Sequence, residues 1–207
     1  YQLTQRLGGG GMGEVWRAEH AVLGRAAAVK LIRPEMLGAR DGEGRALLRR
    51  RFEREAKATA RLTSPHTVEI YDFGVHDDGT LWYAMALLEG WDLDTLVRHF
   101  GPLAPGRAAH LLVQVCDALS ESHAAGLVHR DIKPANLHLG RKGMVADFVQ
   151  VLDFGLVKLG DSEAGEVSTL TADGVITGSP AFLPPELAGE GEIGPATDLY
   201  ALGCVAW

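Results

Sequence analysis

Near residue 90 the apolar period of the chain changes, and that change limits the possible folds more than any other feature. Before it, "EVWRAEH" (14–20), "RAAAVKLI" (25–32), "TVEIYDFG" (67–74) and "LWYAMALL" (81–88) are short and apolar or alternating, bounded by Gly, Pro or Asp, as strands are. One helix interrupts them, "RALLRRRFEREAKATARL" (45–62), where Leu48, Phe52, Ala56 and Thr59 recur at helical spacing between charges. After "EGWDLDTL" the period turns helical. "PLAPGRAAHLLVQVCDALSESHAAG" (102–126) puts Leu111, Val115, Ala118 and Leu119 on one face and stops at Gly126. The pattern predicts an α+β chain: a small β-rich lobe with one helix over 1–88, then a mainly helical lobe over 89–207. No internal repeat is present.

At 207 residues, 46% hydrophobic and 23% charged, the chain can bury a real core. Its net charge of −7 argues against a general nucleic-acid binder, which needs a basic face. Cys116 and Cys204 sit in apolar helical patterns without CxxC pairing and read as reduced core residues, which fits a cytoplasmic setting. No apolar run reaches the roughly 18 residues of a membrane span, so no membrane contact is expected of this segment. The last pattern, "ATDLYALGCVAW", carries Leu199, Leu202, Val205 and Ala206 with no helix stop. The chain is therefore expected to be part of a longer protein whose remainder buries that surface. Residues 34–44 read as a loop, and 159–179, with four acids and many hydroxyls, as a long functional or disordered one.

Five places hold residues that could do chemistry. "LGGGGMGEV" contains Gly8-x-Gly10-x-x-Gly13, where missing Cβ atoms let backbone N–H groups approach phosphate oxygens. No Lys-Ser/Thr follows, so it is not a P-loop; a strand rather than a helix follows, so it is not a dinucleotide fingerprint. A glycine hairpin between two strands remains. Lys30 is an ammonium in an apolar strand, which needs an anion or a route to water. Glu55 could be that anion or a surface partner of Arg51, and spacing does not choose between them. "VHRDIKPAN" (128–136) crowds unlike polar groups into nine residues, and "QVLDFG" puts Asp153 at the end of an apolar strand, a turn or a cation ligand.

Taken together, the glycine hairpin, strand Lys, helix Glu, "HRDIKPAN", "DFG" and "PPE" follow the order and rough spacing of the protein-kinase signature set. From residue 1 to residue 207 the sequence resembles bacterial members of the eukaryotic-like serine/threonine protein kinases. The resemblance implies a bilobal kinase-like fold, incomplete after the helix containing Asp198, and transfer of the ATP γ-phosphoryl group to Ser/Thr hydroxyls of protein substrates. It implies that Leu7, Gly8, Gly10, Gly13, Val15 and Ala28 enclose ATP, with Lys30 on its phosphates and Glu55 positioning Lys30. Met85 would be the gatekeeper, and the Ala86 and Leu88 backbones would bind the adenine edge. Asp131 would orient the acceptor hydroxyl, Lys133 would steady the phosphoryl group, and Asn136 and Asp153 would hold Mg²⁺, or Mn²⁺ in its place. His129 would pack beneath Phe154. Thr169 and Thr171 are the candidate phosphosites, and Ser179 matches a hydroxyl beside Asp131.

The chain departs from the family pattern at several points. His138 stands where Leu or Met usually lies under the adenine, Ala86 replaces a common hinge Glu, and Pro184 replaces the Ala of "APE". The hairpin 139–149 is longer than is typical of the family and reads as a surface insertion. The other reading is a pseudokinase that binds nucleotide or partners without transfer, but such chains usually lose the equivalents of Lys30, Asp131 or Asp153, all kept here.

Overall fold

The alternating stretches of the first ninety residues form a five-stranded antiparallel sheet of order β1-β2-β3-β5-β4. Its strands are β1 (Gln2–Gly10), β2 (Gly13–Glu19), β3 (Ala26–Ile32), β4 (Ile70–Val75) and β5 (Leu81–Ala86). The structure is a computed structural model that describes residues 1–10, 13–34, 42–154, 180–188 and 191–207. Within it the chain divides into two units, Tyr1–Leu62 with Val68–Glu89, and Thr63–Thr67 with Gly90–Trp207.

In the first unit, register assigns each side chain to a face of the sheet. Lys30 pairs with Tyr83, which pairs with Phe73. This row lies on the side of helix α1 (Gly42–Thr59), whose Phe52 ring meets Phe73 edge-on at 6.2 Å. Leu48, Phe52, Ala56 and Thr59 are the buried residues of α1, one stripe at a helical period. On the opposite face Ala18, Val29 and Ala84 are buried under Tyr1, Leu31, Tyr71 and Trp82.

The second unit holds β6 (Gly90–Asp92), α2 (Leu93–Phe100), α3 (Pro105–Ala124), β7 (Leu137–Lys142), β8 (Val145–Val151), α4 (Pro185–Ala188) and α5 (Pro195–Ala206). Asp92 caps α2 by accepting from Thr95 N at 2.8 Å. Pro105 opens α3, where its missing N–H loses nothing, and Gly126 takes φ 75 just past the helix end. Leu111, Val115, Ala118 and Leu119 from α3 form the core with Ile132, Leu137, Leu139, Val149 and Val151.

Three sequence readings need correction. The expected hairpin over 139–149 is present but is not confined to the surface: β7 and β8 pair from Leu137–Val151 out to Lys142–Val145 and, with β6, make a second sheet whose base is buried. Its outer part, residues 141–146, is exposed. Cys116 is exposed rather than in the core. At about 100° per residue it lies off the stripe of Leu111, Val115, Ala118 and Leu119. Polar Gln114 takes the buried place instead, because its amide donates to Asp147 O at 2.8 Å and accepts from Val149 N at 2.9 Å. Helix α1 starts at Gly42, inside the stretch read as a loop.

The segment Thr63–Thr67 belongs to the second unit because Glu121 of α3 holds it. Thr63 N and Oγ1 both donate to Glu121 Oε1 at 2.7 Å, Ser64 N donates to Oε2 at 2.7 Å, and Ser64 Oγ donates to Asp117 at 2.7 Å. Partial burial pushes the Glu121 pKa up, but the donors from Thr63 and Ser64 outweigh it and leave the carboxyl below its ordinary value. A carboxylate with a depressed folded pKa stabilises above its unfolded pKa, and that contribution is lost as pH falls through the folded value. Glu121→Gln is expected to lower unfolding free energy at neutral pH by about 1–3 kcal/mol. The difference from wild type should shrink in acid, as read by urea melts along a pH series.

Candidate functional site

The site residues of the first unit lie on the β1–β2 hairpin and on β3. Gly8 pairs with Val15 and Gly10 with Gly13 at the closed end of the hairpin, while Leu7 is half exposed on β1. Gly13 has φ +136, and a Cβ there would strike the Leu31 carbonyl of the next strand, so only glycine fits. Gly8 differs: a Cβ there would meet nothing within 4 Å. Gly13→Ala is therefore expected to destabilise the unit by about 1–3 kcal/mol or more, whereas Gly8→Ala should leave its melt unchanged.

Lys30 is 8% exposed in the middle of β3, between Val15 of β2 and Tyr83 of β5. A long side chain reaching water from an edge strand is thereby excluded, since β3 is an inner strand. Glu55, one turn beyond Phe52 on α1, has its Oε2 shielded from solvent, which argues against a merely surface role. Ala28 and Met85 are buried and directly paired. Ala86 N donates to Glu69 O at 3.0 Å, so its N–H is already used.

The second unit gathers the polar cluster of 128–136. Lys133 Nζ donates to Asp131 Oδ2 at 2.9 Å; Asn136 Nδ2 donates to Asp131 O at 2.7 Å and to Oδ2 at 3.0 Å. Asn136 O in turn accepts from Leu152 N at 2.9 Å, which fixes the residue preceding Asp153. Asp153 has φ 55 and Arg130 φ 63, left-handed angles that non-glycine residues adopt at a cost of about 1–3 kcal/mol each. Two such residues within one site are held there by their surroundings.

His129 links the two acidic residues. It is wholly buried against Phe154, with ring centroids 4.8 Å apart. Its Nε2 lies 2.7 Å from Leu152 O, which can only accept, so Nε2 carries the proton and Nδ1 accepts from Asp131 N at 3.2 Å. Burial pushes its pKa below the ordinary histidine value, outweighing the pull of Asp198, Asp131 and Asp153. A neutral ring with both nitrogens occupied is a positioning group and not a proton carrier.

Asp198, on α5, is the residue that sequence reasoning missed. Fully buried, it accepts from His129 N and Arg130 N at 2.8 Å each, and its Oδ2 lies 2.8 Å from His123 Nε2. A lone Asp in an apolar helix pattern was the available signal, since a buried carboxylate must find donors. Gly155, Thr169, Thr171 and Ser179 lie outside the described residues.

Comparison with known proteins places this geometry. A model of the protein kinase domain matches residues 1–207. The chain belongs to the protein kinase domain family. The serine/threonine-protein kinase pkn3 of Myxococcus xanthus is 37% identical over 207 residues, which is 100% of this chain and 37% of that protein. The serine/threonine-protein kinase PknH of Mycobacterium tuberculosis is 40% identical over 205 residues, 99% of this chain and 30% of that protein. The chain thus spans about a third of the length of these curated relatives. Among solved structures, a point mutant of the PknI kinase domain of Mycobacterium tuberculosis matches with a TM-score of 0.74 at 31% identity, covering 99% of this chain and 71% of that one. Rad53 1-466 matches with a TM-score of 0.75 at 22% identity, covering 99% of this chain and 46% of that one, a likeness of fold. The fold is that of a protein kinase: a β-rich unit with one long helix, and a unit built on helices.

Proposed function

We propose that the chain transfers the γ-phosphoryl group of ATP to Ser/Thr hydroxyls of protein substrates. The observation that carries this reading is the Asp131–Lys133–Asn136 cluster, tied through Asn136 O and His129 to the turn that bears Asp153. Phosphoryl transfer passes through a loose, highly charged transition state, so it needs alignment and positive charge more than a covalent nucleophile. Asp131 accepts the proton of the acceptor hydroxyl and points its oxygen at phosphorus. Lys133, 2.9 Å from that carboxylate, places its ammonium beside the phosphoryl group in flight.

The residues fit a divalent cation. Asn136 uses its Nδ2 on Asp131, which turns the amide oxygen toward ligation, and Asp153 adds a carboxylate. Among the described residues no three His, Cys, Asp or Glu gather as a metal cage; one or two protein oxygens plus substrate phosphates is the manner of Mg²⁺, or of Mn²⁺ in its place. When bound, the cation neutralises phosphate charge. In the first unit, Gly8, Gly10 and Gly13 bring backbone N–H groups to the phosphates and Lys30, oriented by Glu55, binds them. Val15, Ala28 and Met85 line the adenine, with Leu7 at its rim. At the adenine edge Ala86 has only its carbonyl to offer, since its N–H is taken by Glu69, which leaves the N–H role to Leu88. His138, half buried on β7, would stack its imidazole where an aliphatic side chain is usual. A cytoplasmic location fits this reading, and no described helix is long and apolar enough to cross a membrane.

The test uses the full-length protein with Mg²⁺ and γ-labelled ATP, followed by phosphoamino acid analysis. Label on Ser and Thr is expected, and peptide mapping should find it at Thr169 or Thr171 if these are the activating sites. Label on Tyr alone would overturn the Ser/Thr assignment, and nucleotide binding with no transfer would overturn the proposal in favour of a scaffold. Lys30→Met is expected to reduce turnover by about 10²-fold or more by removing charge from the phosphates. Gly8→Ala should raise KM for ATP with little change in kcat, because the added methyl meets no protein atom.

A further inference from the structure

Helix α1 carries charge out of keeping with the rest of the chain. Between Gly42 and Leu62 lie seven basic side chains and three acidic ones, in a protein whose net charge is −7. Arg50, Arg54, Lys57 and Arg61 are all exposed. At about 100° per residue they fall within about 60° of one another, directly opposite the buried stripe of Leu48, Phe52, Ala56 and Thr59. Arg61 sits in the turn that prolongs the helix, where its N–H donates to Ala58 O at 3.2 Å. Arg49 is held by Glu53 at 2.8 Å, but none of these four side chains makes a hydrogen bond or ion pair among the described residues. With a rise of about 1.5 Å per residue the row is about 16 Å long, the reach of about five residues of extended chain.

We propose that this row is a docking strip for acidic segments of the kinase's protein substrates. It rests on the phosphotransferase reading for the word substrate but not for the binding itself. A bilayer would need apolar side chains flanking the charges, and the apolar stripe of α1 is spent against its own unit, with half-exposed Leu47 alone near the basic row. Nucleic acid would want stacking aromatics among the charges, and this row has none. An acidic peptide needs only charge at this spacing. The chain contains a segment of that chemistry: "LGDSEAGEVSTLTADGVITGS" (159–179) has four carboxylates, six hydroxyls and no basic residue. A second copy could present it as an acceptor.

A synthetic peptide of that sequence is the probe, titrated by fluorescence anisotropy against the full-length protein without ATP. Binding is expected at low salt, weakening by about tenfold or more near 0.5 M as screening shortens the reach of each charge. The variant Arg50→Gln, Arg54→Gln, Lys57→Gln, Arg61→Gln should lose about tenfold in affinity. Gln is nearly as good a helix former, so the melt should not move. Replacing Arg50, Arg54 and Arg61 by Lys should retain binding even if the Gln variant folds poorly. A peptide with Asn and Gln for its acids should not bind. In transfer assays the Gln variant should raise KM for acidic peptides at unchanged kcat and leave neutral peptides untouched. Equal peptide binding by wild type and Gln variant, or capture of phosphatidylserine vesicles but not the peptide, overturns the proposal. Phosphoryl transfer without peptide binding sinks the docking strip alone; peptide binding without transfer sinks the kinase reading alone.

Discussion

Asp131→Asn is expected to lower turnover by about 10²–10⁴-fold while leaving affinity for MgATP and the unfolding midpoint near those of wild type. The amide keeps the size of the carboxylate and can still accept from Lys133 and Asn136 through its oxygen, so the loop retains its shape. It can no longer take a proton from the acceptor hydroxyl. Lys133 and Asn136 Nδ2 also lose the negative charge that now faces them at 2.9 and 3.0 Å. The backbone carbonyl of Asp131, which receives the shorter 2.7 Å bond from Asn136, is unaffected, and so the Asn136 amide should hold its orientation. Nucleotide binding by calorimetry and transfer from labelled ATP, measured on the same preparation, separate the outcomes. Transfer undiminished in the variant would leave Asp131 a structural acid and remove the basis of the proposed chemistry.

The fold was legible in the sequence where burial follows a period. The stripe of Leu48, Phe52, Ala56 and Thr59 and that of Leu111, Val115, Ala118 and Leu119 are buried as their spacing requires. Strands β2, β3 and β5 likewise fall on the short apolar or alternating stretches. Legibility failed where polarity and burial part company. Gln114 is buried and Cys116 exposed because two hydrogen bonds to β8 outweigh the hydrophobicity of a thiol. The hairpin over 139–149 was legible, but its burial was not: residues 141–146 are exposed, whereas Leu137, Leu139, Val149 and Val151 are buried at its base. Short α2 was hidden because its eight residues offer only two buried positions, Leu93 and Leu96. The candidate site was legible as residue types in order. Its supports were not, since neither Glu121 nor Asp198 has a local pattern: each acts on backbone more than fifty positions away.

Asp198→Ala is expected to destabilise the protein by about 3–5 kcal/mol, the scale for breaking a buried hydrogen-bond network, and to abolish most turnover although Asp198 touches no reacting group. The carboxylate is fully buried and takes donors from His129 N, Arg130 N and the ring of His123. Truncation takes the acceptor from two backbone N–H groups, each a loss of about 1–3 kcal/mol. It also frees Arg130 from the contact that holds it at φ 63, and relaxation there would swing Asp131 away from Lys133. Asp198→Asn distinguishes charge from shape. Its Nδ2 would face a backbone N–H, donor against donor, so loss of at least half the Ala effect is expected in urea melts. If Asp198→Asn melted and turned over like wild type, the carboxylate would not be what sets the backbone at 129–131, and the strain at Arg130 would need another support.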